Sequence, residues 1–394
     1  MASFKSTAVF FLVLIALGAA GAGGAYVYLQ LQQRAAERDL TLAEGYLKQG
    51  QAAQADQVLA ARLESASKRA PWRPRALALR LEALDRLQDT AGLRALASRI
   101  LDPQNPLAGP PQEAWARAEV ILGQAALEAK NVKEARERFE AVLAQSAATA
   151  GHAPAVVGLA RLEMADAHIP AARERLAALL PTLAPDDPAR PSVEQNLGQC
   201  NLAMLMSREP YGQDQIYVLQ SGDTLDALGR RFKISPEILK SINQIPDERR
   251  LPIGRRLKIP DVAWSIVVNK SDNTLTLLNH DQFFKKYRVR TGEIDYMTPT
   301  GDFRIENKTV DPAWVNPKDN QRYPPGDPGN QLGCRWMGFQ GSNLGIHEAI
   351  DPETLGKYSS NGCVGMAKSD VIELYDLVPR LTPVKIIGQI QKPL

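Results

Sequence analysis

The sequence predicts a multidomain α+β protein, and three observations support this prediction. At 394 residues the chain is too long for one compact core, because single domains hold roughly 100 to 200 residues. Apolar residues recur with helical spacing from Leu40 to about Met206, whereas short alternating runs typical of strands follow from Trp264. In chain order we expect an N-terminal transmembrane helix, an α-helical repeat region, a small βααβ module and a mostly antiparallel β domain.

The overall composition limits the classes of partner. The hydrophobic fraction of 44% and the charged fraction of 23% are ordinary for a globular protein. With 47 basic and 44 acidic side chains the formal net charge is +3, which is too balanced to predict a nucleic-acid partner. The three cysteines do not make a disulfide framework for a chain of this size. An odd number in an exported protein leaves at least one thiol unpaired or joined to another chain.

Residues 1–39 are predicted to be a signal-anchor or transmembrane segment. No charged residue lies between Lys5 and Arg34, and residues 8–28 are nearly all apolar or small. About 20 such residues span a bilayer as a helix. A cleaved signal peptide is the alternative, because residues 19–22 are small enough for a cleavage site. The apolar run continues past that site, so we expect an anchor in the cytoplasmic membrane.

Residues 40–210 are predicted to form helical repeats. The sequence Ala135-Arg-Glu-Arg-Phe139 returns as Ala172-Arg-Glu-Arg-Leu176, a shift of 37 residues. This region resembles tetratricopeptide-like repeats, whose period is about 34 residues. Stacked helix pairs form a scaffold or a groove for a protein partner. A spacer arm with the capacity to bind such a partner is the simplest role.

Residues 215–261 follow the order strand, helix, helix, strand. Ser235 and Pro236 supply an N-cap and a first-turn proline for the second helix. A larger set of residues falls where the LysM family places them: Tyr217, Val218, Gly222-Asp223-Thr224-Leu225, Leu239, Asn243, Leu251, Gly254, Leu257 and Ile259-Pro260. The segment therefore resembles the LysM module, which implies binding to N-acetylglucosamine-containing glycans, usually peptidoglycan. The glycan-binding residues are expected at Gly222, Asp223, Thr224 and Asn243; a module used only for packing is the alternative.

The predicted catalytic residues lie within residues 264–390. His347 lies 16 positions before Cys363, and the cysteine follows Gly362. A free thiol has a pKa of about 8.5 and is a poor nucleophile at neutral pH unless a base or a cation activates it. An imidazole beside the thiol takes its proton and later gives a proton to the leaving amine. Gly362 and Gly365 permit a tight turn that exposes the sulfur and directs backbone N–H groups at an oxyanion.

This domain resembles the L,D-transpeptidase catalytic domain family of the YkuD type. The family carries a His, then Ser/Thr-His-Gly-Cys, and usually an Arg or Asn two positions after the cysteine. It also carries Thr-Pro-x-Gly-x-Phe, which is found at residues 298–303, and an approach segment like residues 333–337. Two positions depart from the pattern: Asn361 stands where most members have His, and Gly365 stands where they have Arg. The missing Arg matters more, because in the family it helps to bind a substrate carboxylate.

The resemblance implies a cysteine enzyme that needs no metal and no other cofactor and whose partner is peptidoglycan, both stem peptide and glycan strands. Cys363 attacks the amide between the third and fourth residues of a stem peptide, His347 is its base, and D-alanine leaves. The acyl group then passes to an amine and gives a 3→3 cross-link. Oxyanion or support residues are expected at Gly362, Ser360 and Asn361, and substrate contacts at Arg335, Trp336 and Lys368.

Several alternatives stay open on the sequence alone. Glu348, Asp351 or a backbone carbonyl orients His347. The chain is an active transpeptidase, a catalytically impaired peptidoglycan-binding adaptor, or an L,D-carboxypeptidase or hydrolase that uses the same thiol. Each of these works only outside the cytoplasm, so we expect the domains in the cell envelope, in the periplasm or outside, held by the membrane anchor.

Overall fold

The computed structural model describes residues 3–64, 70–104, 112–145, 151–316 and 320–389, with the backbone alone for residues 3–25. The chain divides into two compact units, Met1–Leu162 and Glu163–Leu394.

The first unit consists of helices that pack against their sequence neighbours. Its core combines Leu40, Leu59, Leu77 and Phe139, all fully buried or nearly so. Gly158 lets its helix approach the helix that carries Phe139, because a Cβ built on Gly158 would lie 2.5 Å from the Phe139 ring. The helices are α1 (Ser3–Lys48), α2 (Ala52–Glu64), α3 (Arg73–Arg86), α4 (Thr90–Ile100), α5 (Glu113–Glu128), α6 (Val132–Leu143) and α7 (His152–Ala165), the last of which crosses the boundary.

The predicted transmembrane helix has to be corrected. In the part of the chain that the structure describes, no helix is both long enough and apolar enough to cross a membrane. From Arg34 onwards α1 carries charged residues, and one face of it, at Ala36, Leu40 and Leu47, is buried in the helical core. A helix that packs in this way is part of the first helical unit. The side chains of the apolar run up to Ala25 lie outside the described residues. The predicted anchoring in the cytoplasmic membrane depended on the transmembrane helix and is therefore wrong as well.

The second unit begins with two helices and the βααβ module. Helices α8 (Ile169–Leu179) and α9 (Arg190–Met206), which the sequence grouped with the repeat region, pack within this unit. Thr224 caps the first module helix by accepting from Ala227 N, and Ser235 caps the second by accepting from Ile238 N. The module consists of β1 (Gln215–Val218), α10 (Leu225–Phe232), α11 (Pro236–Ile242) and β2 (Arg256–Ile259), with β1 and β2 antiparallel.

The β domain is built on a nine-stranded sheet in the order β11-β5-β12-β10-β9-β6-β13-β3-β4. An additional pairing of β4 with β5 closes the sheet on itself. Most pairs are antiparallel; β10–β12, β11–β5 and β13–β3 are parallel. The elements are β3 (Trp264–Asn269), β4 (Thr274–Asn279), β5 (Gln282–Gly292), β6 (Gly301–Val310), β7 (Trp314–Val315), β8 (Arg322–Tyr323), β9 (Arg335–Phe339), β10 (Gly345–Glu348), β11 (Tyr358–Ser360), β12 (Val364–Met366), α12 (Lys368–Leu377) and β13 (Pro383–Ile387).

The module and the β domain share one continuous apolar core. Polar contacts reinforce this packing. Lys258 Nζ lies 3.1 Å from Asp214 Oδ2 and donates to the carbonyl oxygens at the end of α9. Asn201 of α9 donates to the Phe284 carbonyl of β5 at 2.9 Å. The helical, βααβ and mostly antiparallel β parts of the predicted fold class therefore agree with the structure.

Candidate active site

Two parallel strands bring Cys363 and His347 together. Strand β10 carries His347, and β12 begins one residue after Cys363, with Ile346 opposite Val364 and His347 opposite Gly365. Alternate residues of a strand point to the same face of the sheet. Ile346 and Val364 are fully buried on the core face, so His347, Gly365 and Cys363 share the other face.

Two neighbouring strands add residues to this second face. Strand β9 places Trp336 opposite His347, with 6.1 Å between their ring centroids. The indole is held by Trp336 Nε1, which donates to Asn307 Oδ1 at 2.9 Å. Strand β5 places Arg290 opposite Gly365. We call the surface formed by Arg290, Trp336, His347 and Cys363 the site face.

The turn before Cys363 is held by Ser360. Ser360 Oγ donates to the Cys363 carbonyl oxygen at 2.6 Å and accepts from Gly362 N at 3.2 Å. Gly362 has a φ of +102°, a conformation that residues with a Cβ rarely adopt. The neighbouring Asn361 is exposed. Ser360 and Gly362 thus fix the turn that presents the sulfur.

A backbone carbonyl orients His347. The imidazole Nδ1 lies 2.7 Å from the carbonyl oxygen of Glu348. A carbonyl oxygen can only accept, so Nδ1 carries the proton and Nε2 keeps its lone pair. The carboxylates named as alternatives have other partners: Glu348 Oε2 accepts from Cys334 N, and Asp351 Oδ1 accepts from Glu353 N.

Burial keeps both reactive groups neutral in the resting protein. It is the main cause that lowers the pKa of His347 to about 4, and the positive charge of Arg290 lowers it further. Burial also raises the pKa of the Cys363 thiol, while a hydrogen bond from Gly345 N–H and the charge of Arg290 act in the opposite direction. Both pKa shifts favour removal of the thiol proton during the reaction over a resting thiolate–imidazolium pair.

The residues predicted to contact the substrate lie on two different faces of the sheet. Trp336 lies on the site face, but Arg335 lies on the other, where its guanidinium carbon is 5.2 Å from the Tyr375 ring centroid and Nη1 donates to the Cys334 carbonyl. Lys368 is exposed at the first residue of α12, which packs against the core face. Among the residues that the structure describes, the cation that strand pairing places on the site face is Arg290. The one signal for it in the sequence is that Gly365 stands where most family members have Arg, so that another residue has to supply the charge.

The predicted glycan-binding residues hold the βααβ module together. Asp223 Oδ2 accepts from Tyr217 OH at 2.9 Å and from Gln220 N at 2.7 Å. Asn243 is buried, donates to the Lys258 carbonyl at 2.9 Å and accepts from Lys258 N at 2.7 Å. Thr224 caps α10, and Gly222 occupies a turn at φ +90°. Among the described residues no group of three or more His, Cys, Asp or Glu side chains could hold a metal ion.

Comparison with known proteins identifies the β domain. The family model described as the L,D-transpeptidase catalytic domain matches residues 263–386, and the LysM domain model matches residues 217–260. YkuD of Bacillus subtilis (strain 168), a candidate L,D-transpeptidase, is 32% identical over 176 residues, which make up 43% of this chain and 97% of the relative. The chain belongs to the L,D-transpeptidase family. It is an enzyme of that family, and the resemblance to the LysM module is confirmed with it.

Other members of the L,D-transpeptidase family match more narrowly. YqjB of Bacillus subtilis (strain 168), a second candidate L,D-transpeptidase, is 34% identical over 126 residues, which cover 31% of this chain and 69% of the relative. A solved L,D-transpeptidase structure from Stackebrandtia nassauensis is 22% identical, covers 32% of this chain and 56% of that chain, and aligns with a TM-score of 0.26. A structural likeness at that level supports no conclusion about function.

Proposed function

We propose that this L,D-transpeptidase acts on peptidoglycan stem peptides with Cys363 as nucleophile and His347 as general base. The pairing of β10 with β12 supports the proposal, because it puts both side chains on the site face. Glycines occupy the strand positions beside them, Gly345 next to Cys363 and Gly365 next to His347. Neighbouring side chains cover both glycines: a Cβ built on Gly345 would lie 2.8 Å from the Trp336 ring, and one on Gly365 would lie 2.5 Å from Arg290 Nε. An indole and a guanidinium therefore flank the sulfur where a peptide would bind.

In the proposed acylation step, His347 Nε2 takes the proton from Cys363 Sγ. The sulfur attacks the carbonyl carbon between the third and fourth residues of the stem peptide, and its electrons move onto the carbonyl oxygen. When the oxyanion collapses, the C–N bond breaks and the amine of D-alanine takes the proton from His347. A thioester remains on Cys363.

In the second step an acceptor amine attacks the thioester carbonyl. The amine gives its proton to His347, the carbon–sulfur bond breaks, and the Cys363 thiolate takes the proton back. If the acceptor is the side-chain amine of the third residue of another stem, the new amide is a 3→3 cross-link. Water in place of the amine gives a tripeptide, which is the carboxypeptidase outcome.

The experiment that tests this function is incubation of the protein with tetrapeptide-stem muropeptides and mass analysis of the products. We expect loss of D-alanine coupled to dimer formation. A tripeptide monomer as the sole product would show that the enzyme hydrolyses its donor. No product at all would show that the protein is a catalytically impaired adaptor. Cys363→Ala is the inactive variant. Cys334→Ala is its matched control, because Cys334 is a second free thiol of the same domain, and burial is the main cause that raises its pKa to about 11.

The other parts of the chain have supporting roles in this proposal. The LysM module binds the glycan strands of the wall, and residues 40–210 form tetratricopeptide-like repeats that reach a protein partner. Equivalent residues of the repeated sequence are fully buried in both copies, Ala135 and Phe139 in α6 and Ala172 and Leu176 in α8. Cosedimentation of the Cys363→Ala protein with purified peptidoglycan measures the glycan contact. Absence of binding would contradict it.

A further inference from the structure

Arg290 is a buried cation on the site face. Only 9% of the residue is exposed, and its Nε atom is buried with no hydrogen-bond partner. In the part of the chain that the structure describes, no carboxylate lies within ion-pair distance of its guanidinium. A buried charge normally requires a counter-charge because its hydration has been lost. An anion supplied from outside the chain would meet this requirement.

Gly365 makes the position of Arg290 possible. A Cβ built on Gly365 would lie 2.5 Å from Arg290 Nε and 2.7 Å from its Cγ. The arginine side chain therefore lies directly on the backbone of β12, in the volume that any other residue at 365 would occupy. The residue two positions after Cys363 is small, and the neighbouring strand β5 supplies the cation that covers it.

The guanidinium is close enough to the reactive pair to act on both members. Its charge lowers the pKa of His347 and opposes the rise in the pKa of Cys363. The carboxylate that acts electrostatically on Arg290 is Asp351, and this carboxylate is exposed and caps the turn at residues 352–354. Asp351 therefore leaves the guanidinium without a direct ion pair.

We propose that Arg290 binds the free carboxylate of the terminal D-residue of the donor peptide and so selects donors that end at that residue. This inference rests on the proposed function, because it concerns the same donor. One amide nitrogen and one Cα separate that carboxylate from the carbonyl that Cys363 attacks. A side chain on the strand next to β12 can therefore reach it while the carbonyl lies at the sulfur. A guanidinium fits a carboxylate through two parallel N–H···O bonds.

The test compares two donors, a tetrapeptide with a free terminal carboxylate and the same peptide with a terminal amide. We expect the unchanged protein to prefer the acid in kcat/KM. Arg290→Gln should lower kcat/KM for the acid by roughly 10- to 100-fold more than for the amide, as expected for the loss of a charged hydrogen-bonded pair. Loss of its charge beside Cys363 and His347 affects both donors alike and therefore cancels in this ratio. Arg290→Lys should keep part of the preference. An equal loss on both donors would overturn the proposal.

Binding to the inactive protein separates this inference from the proposed function. The affinity of Cys363→Ala for the acid and amide peptides, measured by calorimetry, requires no turnover. We expect the acid to bind more tightly, and Arg290→Gln in that background to remove the difference. Equal affinities for acid and amide in the Cys363→Ala protein would contradict the role of Arg290, even if the unchanged enzyme were active.

Exchange of the two residues tests the geometry. Gly365→Arg alone should weaken the preference for the acid, because the new side chain and Arg290 compete for the same volume and neither guanidinium is held in place. The double variant Arg290→Gly with Gly365→Arg should recover part of it, since the guanidinium then projects from β12 onto the same face. Circular dichroism and selective alkylation of Cys363 verify that each variant retains its fold and its thiol. A double variant that is folded and no better than either single variant would contradict the proposed position of the anion.

Discussion

The βααβ module and the site face differ in the hydrogen bonds that their buried polar groups make. In the module, the buried amide of Asn243 has partners for its donor and its acceptor, and the carboxylate of Asp223 accepts two hydrogen bonds. On the site face, Arg290 Nε has no hydrogen-bond partner among the described residues, and the hydrogen bond that holds the His347 ring is made by Nδ1. Satisfied groups stabilise a fold, whereas unsatisfied ones remain available for a ligand. Substitutions in the two regions should therefore affect different measurements.

The largest expected effect is on the activity of Cys363 variants. Cys363→Ala should lower kcat by at least about 10⁴-fold, because removal of a nucleophile leaves only binding and oxyanion stabilisation. Cys200→Ala should leave activity within about 2-fold, since that thiol is fully buried in α9 and covalent catalysis requires an exposed nucleophile. Initial rates of D-alanine release measure both. A fully active Cys363→Ala protein would show that the site face is not where catalysis takes place.

The next effect concerns the general base. His347→Gln should lower kcat by roughly 10²- to 10⁴-fold, which is the usual contribution of a positioned acid–base group, with a smaller change in KM. The result would be contradicted if KM alone changed, because that outcome assigns His347 to substrate binding. Steady-state kinetics on the tetrapeptide donor separate the two parameters.

Stability should depend on pH through the same histidine. The pKa of His347 is about 4 in the folded protein, against an ordinary value of 6.5. Between these values the unfolded chain binds more protons, so the stabilisation is complete above pH 6.5 and is lost as the pH falls towards 4. The total is about 3 kcal/mol. Urea unfolding at neutral and acidic pH should show this loss in the unchanged protein and not in His347→Gln, and equal losses in both would refute it.

The smallest effect lies in the module. Asn243→Ala should lower the free energy of unfolding by about 2 kcal/mol, because it leaves the backbone of Lys258 buried without partners. Turnover of a small stem peptide should not change. Gln220→Ala is the matched control, since that side chain is exposed in the same module and should cost less than about 0.5 kcal/mol. A large loss of turnover in Asn243→Ala would show that the module and the site are not separable.

Local signals in the sequence were sufficient for much of this fold. Ser235 and Pro236 marked the start of α11, and alternation over residues 286–290 marked a strand. Pairing partners were not readable, because strand order depends on contacts between distant residues. Residues 290 and 365 become neighbours only through the order β5-β12-β10. The sequence therefore predicted the charged substrate contacts at Arg335 and Lys368 and not at Arg290. Helical spacing likewise could not tell that α9 packs on β5.

Capture of the acyl intermediate tests the central claim most directly. The protein is mixed with a tetrapeptide donor, quenched with acid within seconds and digested for mass spectrometry. We predict a tripeptide thioester on the peptide that contains Cys363, formed together with one D-alanine per site and absent from His347→Gln on the same time scale. An unmodified Cys363, with D-alanine released or with the acyl group on Cys200 or Cys334, would contradict the account.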